Sequence, residues 1–177
     1  MNLPNKLSVA RILCIPAIVV LLHFPDPVYR YIAAALFITG CLTDYFDGHI
    51  ARKQNLVTDF GKFIDPVADK LLVLTTLIMM IHLGMIPAWF VIIILCRELA
   101  VDGLRMVAVT KGQVIAAGPL GKWKTACQMV LISAMLILNL SVYQSWPLAL
   151  LAGIVILLTL ISAVEYFYRN ASVLSEK

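Results

Sequence analysis

Apolar runs separated by short polar breaks make up almost the whole chain. They cover about residues 9–24, 28–48, 63–83, 86–109, 119–141 and 147–168. Each is close to the ~20 residues that a helix needs to cross a bilayer. Helix breakers fall between or beside them: Pro25 and Pro27, Gly61, Gly84 and Pro87, Gly112, Gly118 and Pro119, and Pro147. The pattern predicts an all-α membrane protein of six transmembrane helices, folded as one domain over residues 1–177. The alternative is five spans with a re-entrant segment near 44–66. The opening stretch, MNLPNKLS, reads as a short amphipathic segment along the membrane interface.

Composition strengthens this reading. The chain is 62% hydrophobic and only 14% charged, with a mean hydropathy of +0.94. Soluble domains do not reach such values. Six spans consume nearly all 177 residues and leave no length for a soluble domain. Lys6 and Arg11 precede the apolar run from Ile12 to Phe24, but no small-residue cleavage site follows before Pro25. That run is expected to remain as the first helix. Cys14, Cys41, Cys96 and Cys127 are isolated within apolar runs and read as small buried hydrophobes, not as disulfides or metal ligands.

The net charge is +4. In so apolar a chain this points to orientation in the bilayer and to anionic substrates, not to nucleic acid. Lys6, Arg11, Arg52, Lys53, Lys62, Lys111, Lys122, Lys124, Arg169 and Lys177 flank alternate ends of the predicted helices, whereas the opposite connections hold only Arg30. The positive-inside rule then places both termini in the cytoplasm. Trp89 and Trp146, near the opposite ends, read as interfacial anchors.

One stretch breaks the apolar pattern. Residues 43–70, TDYFDGHIARKQNLVTDFGKFIDPVADK, carry Asp44, Asp47, Asp59, Asp65 and Asp69. Asp44 and Asp47 are three apart; Asp65 and Asp69 are four apart. Each spacing puts two carboxylates on one helix face. A short basic turn makes the two helices antiparallel neighbours, so four carboxylates can converge. Two like charges at 4 Å repel by about 4 kcal/mol at an effective dielectric of 20. Bound cations would relieve that repulsion. Hard oxygen donors favour Mg²⁺, Mn²⁺ or Ca²⁺, and two divalent ions match four carboxylates in charge. Such paired ions suit phosphoryl transfer. Taken singly, each aspartate has a plainer explanation. Asp44 can cap a helix or pair with Lys53, Asp59 can cap the next helix, and Asp65 before Pro66 is a good helix start. Four ionisable groups at membrane depth favour function instead. Gly48, Ala51 and Gly61 leave room beside them for close helix packing or a bulky ligand. Arg52 offers a fork for phosphate, or snorkels to the interface.

These residues resemble a known signature. Asp44-x-x-Asp47-Gly48-x-x-Ala51-Arg52, eight further residues, then Gly61-x-x-x-Asp65-x-x-x-Asp69 fills every fixed position of the CDP-alcohol phosphotransferase motif. NLPNKLSVAR at the start, REL and GLR within 97–105, GKWKTACQM at 121–129 and EYFYR at 165–169 extend the resemblance over nearly the full length. They are similar to the bacterial members that use glycerol 3-phosphate as acceptor, with Ser8 where a Thr is expected. The resemblance implies a six-helix membrane domain, a homodimer, and a site for two Mg²⁺ or Mn²⁺ ions opening to the cytoplasm. It implies that Asp44, Asp47, Asp65 and Asp69 hold the metals and that Asp69 is the general base. It also implies that Asp44, Asp47, Gly48, Ala51, Arg52, Gly61 and Asp65 border the CDP group. The implied reaction transfers the phosphatidyl group of CDP-diacylglycerol to glycerol 3-phosphate, releasing CMP.

The acceptor's own phosphate needs further positive charge. Arg97, Arg105, Lys122 and Lys124 are the candidates, and Gly118, Pro119 and Gly121 open a helix whose N-terminus favours an anion. Lys122 and Lys124 equally satisfy the positive-inside rule. Glu98 and Asp102 are expected to be structural, Asp102 pairing with Arg105 and Glu98 with a base on another helix. His23, His49 and His82 share no metal-ligand spacing and read as interfacial. Other readings are the same family with inositol phosphate, serine or phosphatidylglycerol as acceptor, a membrane prenyltransferase, and a cation transporter with an acidic core.

Overall fold

Prolines and glycines punctuate the helices of the computed structural model much as the sequence predicts. The backbone is described for residues 3–53, 59–113, 115–116 and 118–174; the side chains of 3–7, 44–53, 59–63, 65–66, 172 and 174 lie outside the described set. Six long helices follow one another: α1 (Leu3–His23), α2 (Pro27–Lys53), α3 (Asp59–His82), α4 (Ala88–Thr110), α5 (Pro119–Leu138) and α6 (Trp146–Arg169). A single turn, α7 (Ala171–Leu174), comes after them. Among the described residues there is no strand.

Proline stands in the first turn of α5 and of α6, where its missing N–H would have no intrahelical partner anyway. Asn139 closes α5 in the left-handed region at φ 52°, its backbone N–H donating to the Met135 carbonyl. Asparagine tolerates that conformation better than most side chains. Gly84, at φ +66°, turns the chain after α3, where a β-carbon would be strained.

The opening residues are not a separate interfacial segment. From Leu3 onward they belong to α1, which runs unbroken through Pro16. Ser8 and Arg11 are buried within it, Arg11 at 2% exposure. Arg11 therefore packs inside the bundle instead of flanking a span.

α1 packs against both α2 and α3, α5 against α6 and α2, and α4 against α6. α2 and α3 touch, but each packs mainly on α1. Gly40 marks where these three helices converge. A β-carbon there would lie 2.8 Å from Leu72 Cδ2 on α3 and 3.7 Å from Arg11 Cγ on α1, so a small residue permits the close approach. His23 and His82 stack with ring centroids 6.0 Å apart. They bring the C-terminal ends of α1 and α3 together, so the two helices run side by side in the same direction.

Phe37, Leu77, Phe90, Ile94, Leu131 and Met135 fill the core. The exterior is apolar too: Leu99, Met106 and Val164 are 63–70% exposed. Burying such side chains is worth about 25 cal/mol per Å², so an apolar surface of this extent calls for a non-aqueous neighbour. Trp89, Trp146 and Tyr143 are exposed toward one end of the bundle, and Trp123 and Tyr168 toward the other. The cysteines are all free, but they are not deeply buried as expected. Cys96 is exposed and the others are half-buried, because their helix faces point partly outward.

The expectation of six equal apolar spans is met only in part. Among the described residues, one helix, Trp146–Arg169, is apolar over enough length to cross a membrane. Ser8–His23 and Pro27–Thr43 are the apolar stretches of α1 and α2 among the described residues. Charges break the apolar runs of the others: Asp69 and Lys70 lie in α3, Arg97, Glu98, Asp102 and Arg105 in α4, and Lys122 and Lys124 in α5.

Candidate active site

Those interrupting charges gather at one end of the bundle. There the first half of α3, the middle and second half of α4, the start of α5 and the end of α6 surround a cavity of about 760 Å³. Asp69 and Lys70 line it from α3, Arg97, Glu98 and Arg105 from α4, Gly121, Lys122 and Thr125 from α5, and Ser162, Glu165, Tyr166 and Arg169 from α6.

Glu98 is the electrostatic centre of this wall. Its Oε1 accepts from Lys124 Nζ at 2.7 Å and from Arg97 Nη1 at 3.0 Å. Lys70 Nζ stands 3.8 Å from Oε2 and also donates to Asp102 Oδ2. Bases from three helices thus share one half-buried carboxylate. A lone ion pair in a low-dielectric interior gains little over its desolvation cost, but removing one partner leaves an uncompensated charge.

Asp102 pairs with Lys70, not with Arg105 as expected from the sequence. Arg105 turns away to α6, where its Nε donates to the Tyr166 hydroxyl at 3.0 Å. Glu98 does meet a base on another helix, as expected. Arg97 also reaches Ser162 Oγ with Nη2, at 3.4 Å, and a β-carbon on Gly121 would lie 3.3 Å from the same nitrogen. Glycine at 121 therefore leaves space for the guanidinium.

The cations of the cavity are unequally neutralised. Lys70 and Arg97 face Glu98, and Arg169 pairs with Glu165 at 2.7 Å. Among the described residues, Arg105 and Lys122 have no carboxylate partner. Their charge is directed at whatever enters the cavity.

A second, smaller cavity of about 30 Å³ lies behind this wall. Asp69, Lys70, Glu98 and Thr125 line both cavities, and Lys124 and Gln128 line only the smaller one. Lys124 is 2% exposed and held by Glu98. Gln128 is also 2% exposed, and its Oε1 is buried with no hydrogen-bond partner. Such an acceptor costs about 1–3 kcal/mol if left unsatisfied.

Of the acceptor-phosphate candidates, Arg97, Arg105 and Lys122 surround the larger cavity together with Asp69, while Lys124 stands behind Glu98. Asp44, Asp47, Gly48, Ala51, Arg52, Gly61 and Asp65 have side chains outside the described residues, as does His49. Their backbones are helical, in α2 or α3. Lys70, Ser162, Tyr166 and Gln128 were not singled out by sequence. Lys70 and Gln128 carried a usable signal as polar residues within apolar runs.

The profile of the CDP-alcohol phosphatidyltransferase family matches residues 1–164. The chain belongs to that family. A Bacillus subtilis relative named CDP-diacylglycerol–glycerol-3-phosphate 3-phosphatidyltransferase is 45% identical, over 96% of this chain and 95% of its own. A Rickettsia bellii relative of the same name is 38% identical over 94% and 93%. A Mycobacterium tuberculosis relative, named a probable phosphatidylglycerophosphate synthase, is 39% identical over 95% and 81%. Family membership sets aside the prenyltransferase and transporter readings.

The donor chemistry of this family member fits divalent metal. The backbone of residues 44–47 and 65–69 is helical, and carboxylate oxygens suit hard cations. Among the described residues no three Asp, Glu, His or Cys side chains form a metal-binding group; Asp69 is the one motif aspartate whose side chain is in that set.

Proposed function

We propose that this chain transfers the phosphatidyl group of CDP-diacylglycerol to sn-glycerol 3-phosphate, giving phosphatidylglycerol phosphate and CMP. The observation that carries this reading is the cavity that Asp69 shares with Arg105 and Lys122, two cations without carboxylate partners among the described residues. It pairs a proton acceptor with a seat for a second, phosphate-bearing substrate. The names of the relatives agree with that acceptor.

Arg105 and Lys122 hold the phosphate of glycerol 3-phosphate, and Arg97 borders the same space. Charge-assisted hydrogen bonds to phosphate are among the stronger polar contacts. Asp69 takes the proton from the free primary hydroxyl as its oxygen attacks the β-phosphorus, the one attached to diacylglycerol. CMP leaves. Gly48, Ala51, Arg52 and Gly61 border the CDP group. Asp44, Asp47, Asp65 and Asp69 would hold two Mg²⁺ or Mn²⁺ ions, which when bound supply charge neutralisation to the diphosphate. The remaining catalytic work is positioning.

The chain does this as one domain of six transmembrane helices in the cell (inner) membrane, with both termini and the cavity facing the cytoplasm. A helix of 24 residues is roughly 36 Å long, enough to cross the hydrocarbon layer. Lys111, Lys122 and Arg169 lie at the cavity end of the helices, and Arg30 at the other, in keeping with the positive-inside rule. The apolar exterior suits lipid contact and the homodimer implied by the family resemblance.

The test is CMP release by the purified full chain in detergent with CDP-diacylglycerol, Mg²⁺ and a panel of acceptors. Release with glycerol 3-phosphate alone is the expected result. Release only with inositol phosphate, serine or phosphatidylglycerol would reassign the acceptor, and no release would reject the reaction.

A further inference from the structure

Beside Asp69, the smaller cavity is lined by polar groups that the proposed reaction does not use. Gln128 enters it from α5, almost fully buried, with an Oε1 that accepts no hydrogen bond from the described residues. Lys124 lines it too. One of its three N–H groups goes to Glu98 Oε1, and ammonium offers two more. Asp69 lines the same space from α3, and Val73, Leu74 and Ile94 close the apolar side.

The volume, about 30 Å³, is enough for an ordered water molecule. The charges select a neutral occupant. A cation would meet Lys124 and Lys70, and an anion would meet Glu98, Asp69 and the Gln128 carbonyl. A water satisfies the set: it accepts from Lys124 Nζ and donates one O–H to Gln128 Oε1 and the other to the Asp69 carboxylate.

We propose that Gln128 is a positioning residue for Asp69, acting through one ordered water held in the cavity between them. This inference rests on the reading of Asp69 as proton acceptor. A hydrogen bond from the water, where Asp69 lines the smaller cavity, fixes the carboxylate's rotation. Its other face is thereby aimed at the acceptor hydroxyl. The water is itself oriented by Gln128, whose neutral carbonyl can only accept. Supporting contacts of this kind alter activity by about 10–100-fold when removed.

The experiment compares Gln128→Met and Gln128→Asn in the full chain, in detergent with CDP-diacylglycerol, Mg²⁺ and glycerol 3-phosphate, beside Asp69→Asn. Gln128→Met preserves volume but removes the acceptor. Its kcat is expected to fall about tenfold with KM for glycerol 3-phosphate unchanged. Gln128→Asn keeps a carbonyl and gives the water more room, so it is expected to retain most of the turnover. Wild-type kcat in Gln128→Met, or equal losses in the two variants, would overturn the inference in favour of plain packing. Full activity in Asp69→Asn would instead remove the reading on which it rests. A structure of the unaltered chain that resolves waters decides the matter even if a variant fails to fold. Density for one water within hydrogen-bond reach of Gln128 Oε1 and Lys124 Nζ is expected, and an empty cavity would overturn the inference.

Discussion

Lys124 on α5 donates to Glu98 on α4 across 2.7 Å, with the lysine side chain 3% exposed and the glutamate 15%. Arg97 and Lys70 share the same carboxylate, so the two partners are not equivalent. Replacing Glu98 by Ala leaves Lys124 without a counter-charge and is expected to destabilise the bundle by about 3–5 kcal/mol. Lys124→Met leaves Glu98 with two other bases and should cost clearly less. Thermal unfolding of both variants in detergent ranks them. Equal losses would contradict the shared-carboxylate arrangement.

Arg105 and Lys122 carry the acceptor-binding part of the account. Losing one charged hydrogen bond costs about 1.5–3 kcal/mol, so Arg105→Ala is expected to lower kcat/KM for glycerol 3-phosphate by roughly 10–100-fold. Lys122→Ala should raise the apparent KM for the same substrate. An unchanged KM in Lys122→Ala would leave that lysine with no role beyond orientation in the bilayer.

Gly121 and Gly118 make a matched pair near the start of α5. A β-carbon at 121 meets the Arg97 guanidinium at 3.3 Å, whereas nothing lies within 4 Å of one at 118. Gly121→Ala should shift Arg97 by a few tenths of an ångström and reduce turnover several-fold, because small displacements near reacting groups are costly. Gly118→Ala should behave as wild type. Steady-state kinetics on the two variants checks this, and identical behaviour would detach Arg97 from the site.

Much of this was readable along the chain. Run lengths and breakers located all six long helices, since an apolar stretch bounded by proline or glycine has few other solutions. The limits were less readable. α1 starts at Leu3, not near residue 9, and α2 reaches Lys53, because Ser8 and Arg11 are buried in the bundle and polar residues no longer signal an end. Of the aspartate motif, Asp69 alone has a described side chain, and it lines the cavity. The site was illegible where partners come from distant helices. Lys70 with Asp102 and Arg105 with Tyr166 are tertiary choices, whereas sequence spacing had suggested the local pair Asp102–Arg105. Burial, too, was hidden: Gln128 looks like any polar residue in a helix until its cavity is seen.

Asp69 lines the same cavity as Arg105 and Lys122, and the account depends on its accepting the acceptor's proton. The most direct measurement is CMP release by Asp69→Asn, with CDP-diacylglycerol, Mg²⁺ and saturating glycerol 3-phosphate, alongside its unfolding temperature. General-base catalysis is worth about 10²–10⁴-fold, so turnover is predicted to fall at least a hundredfold while the fold survives. Turnover near that of the unaltered chain would contradict the account.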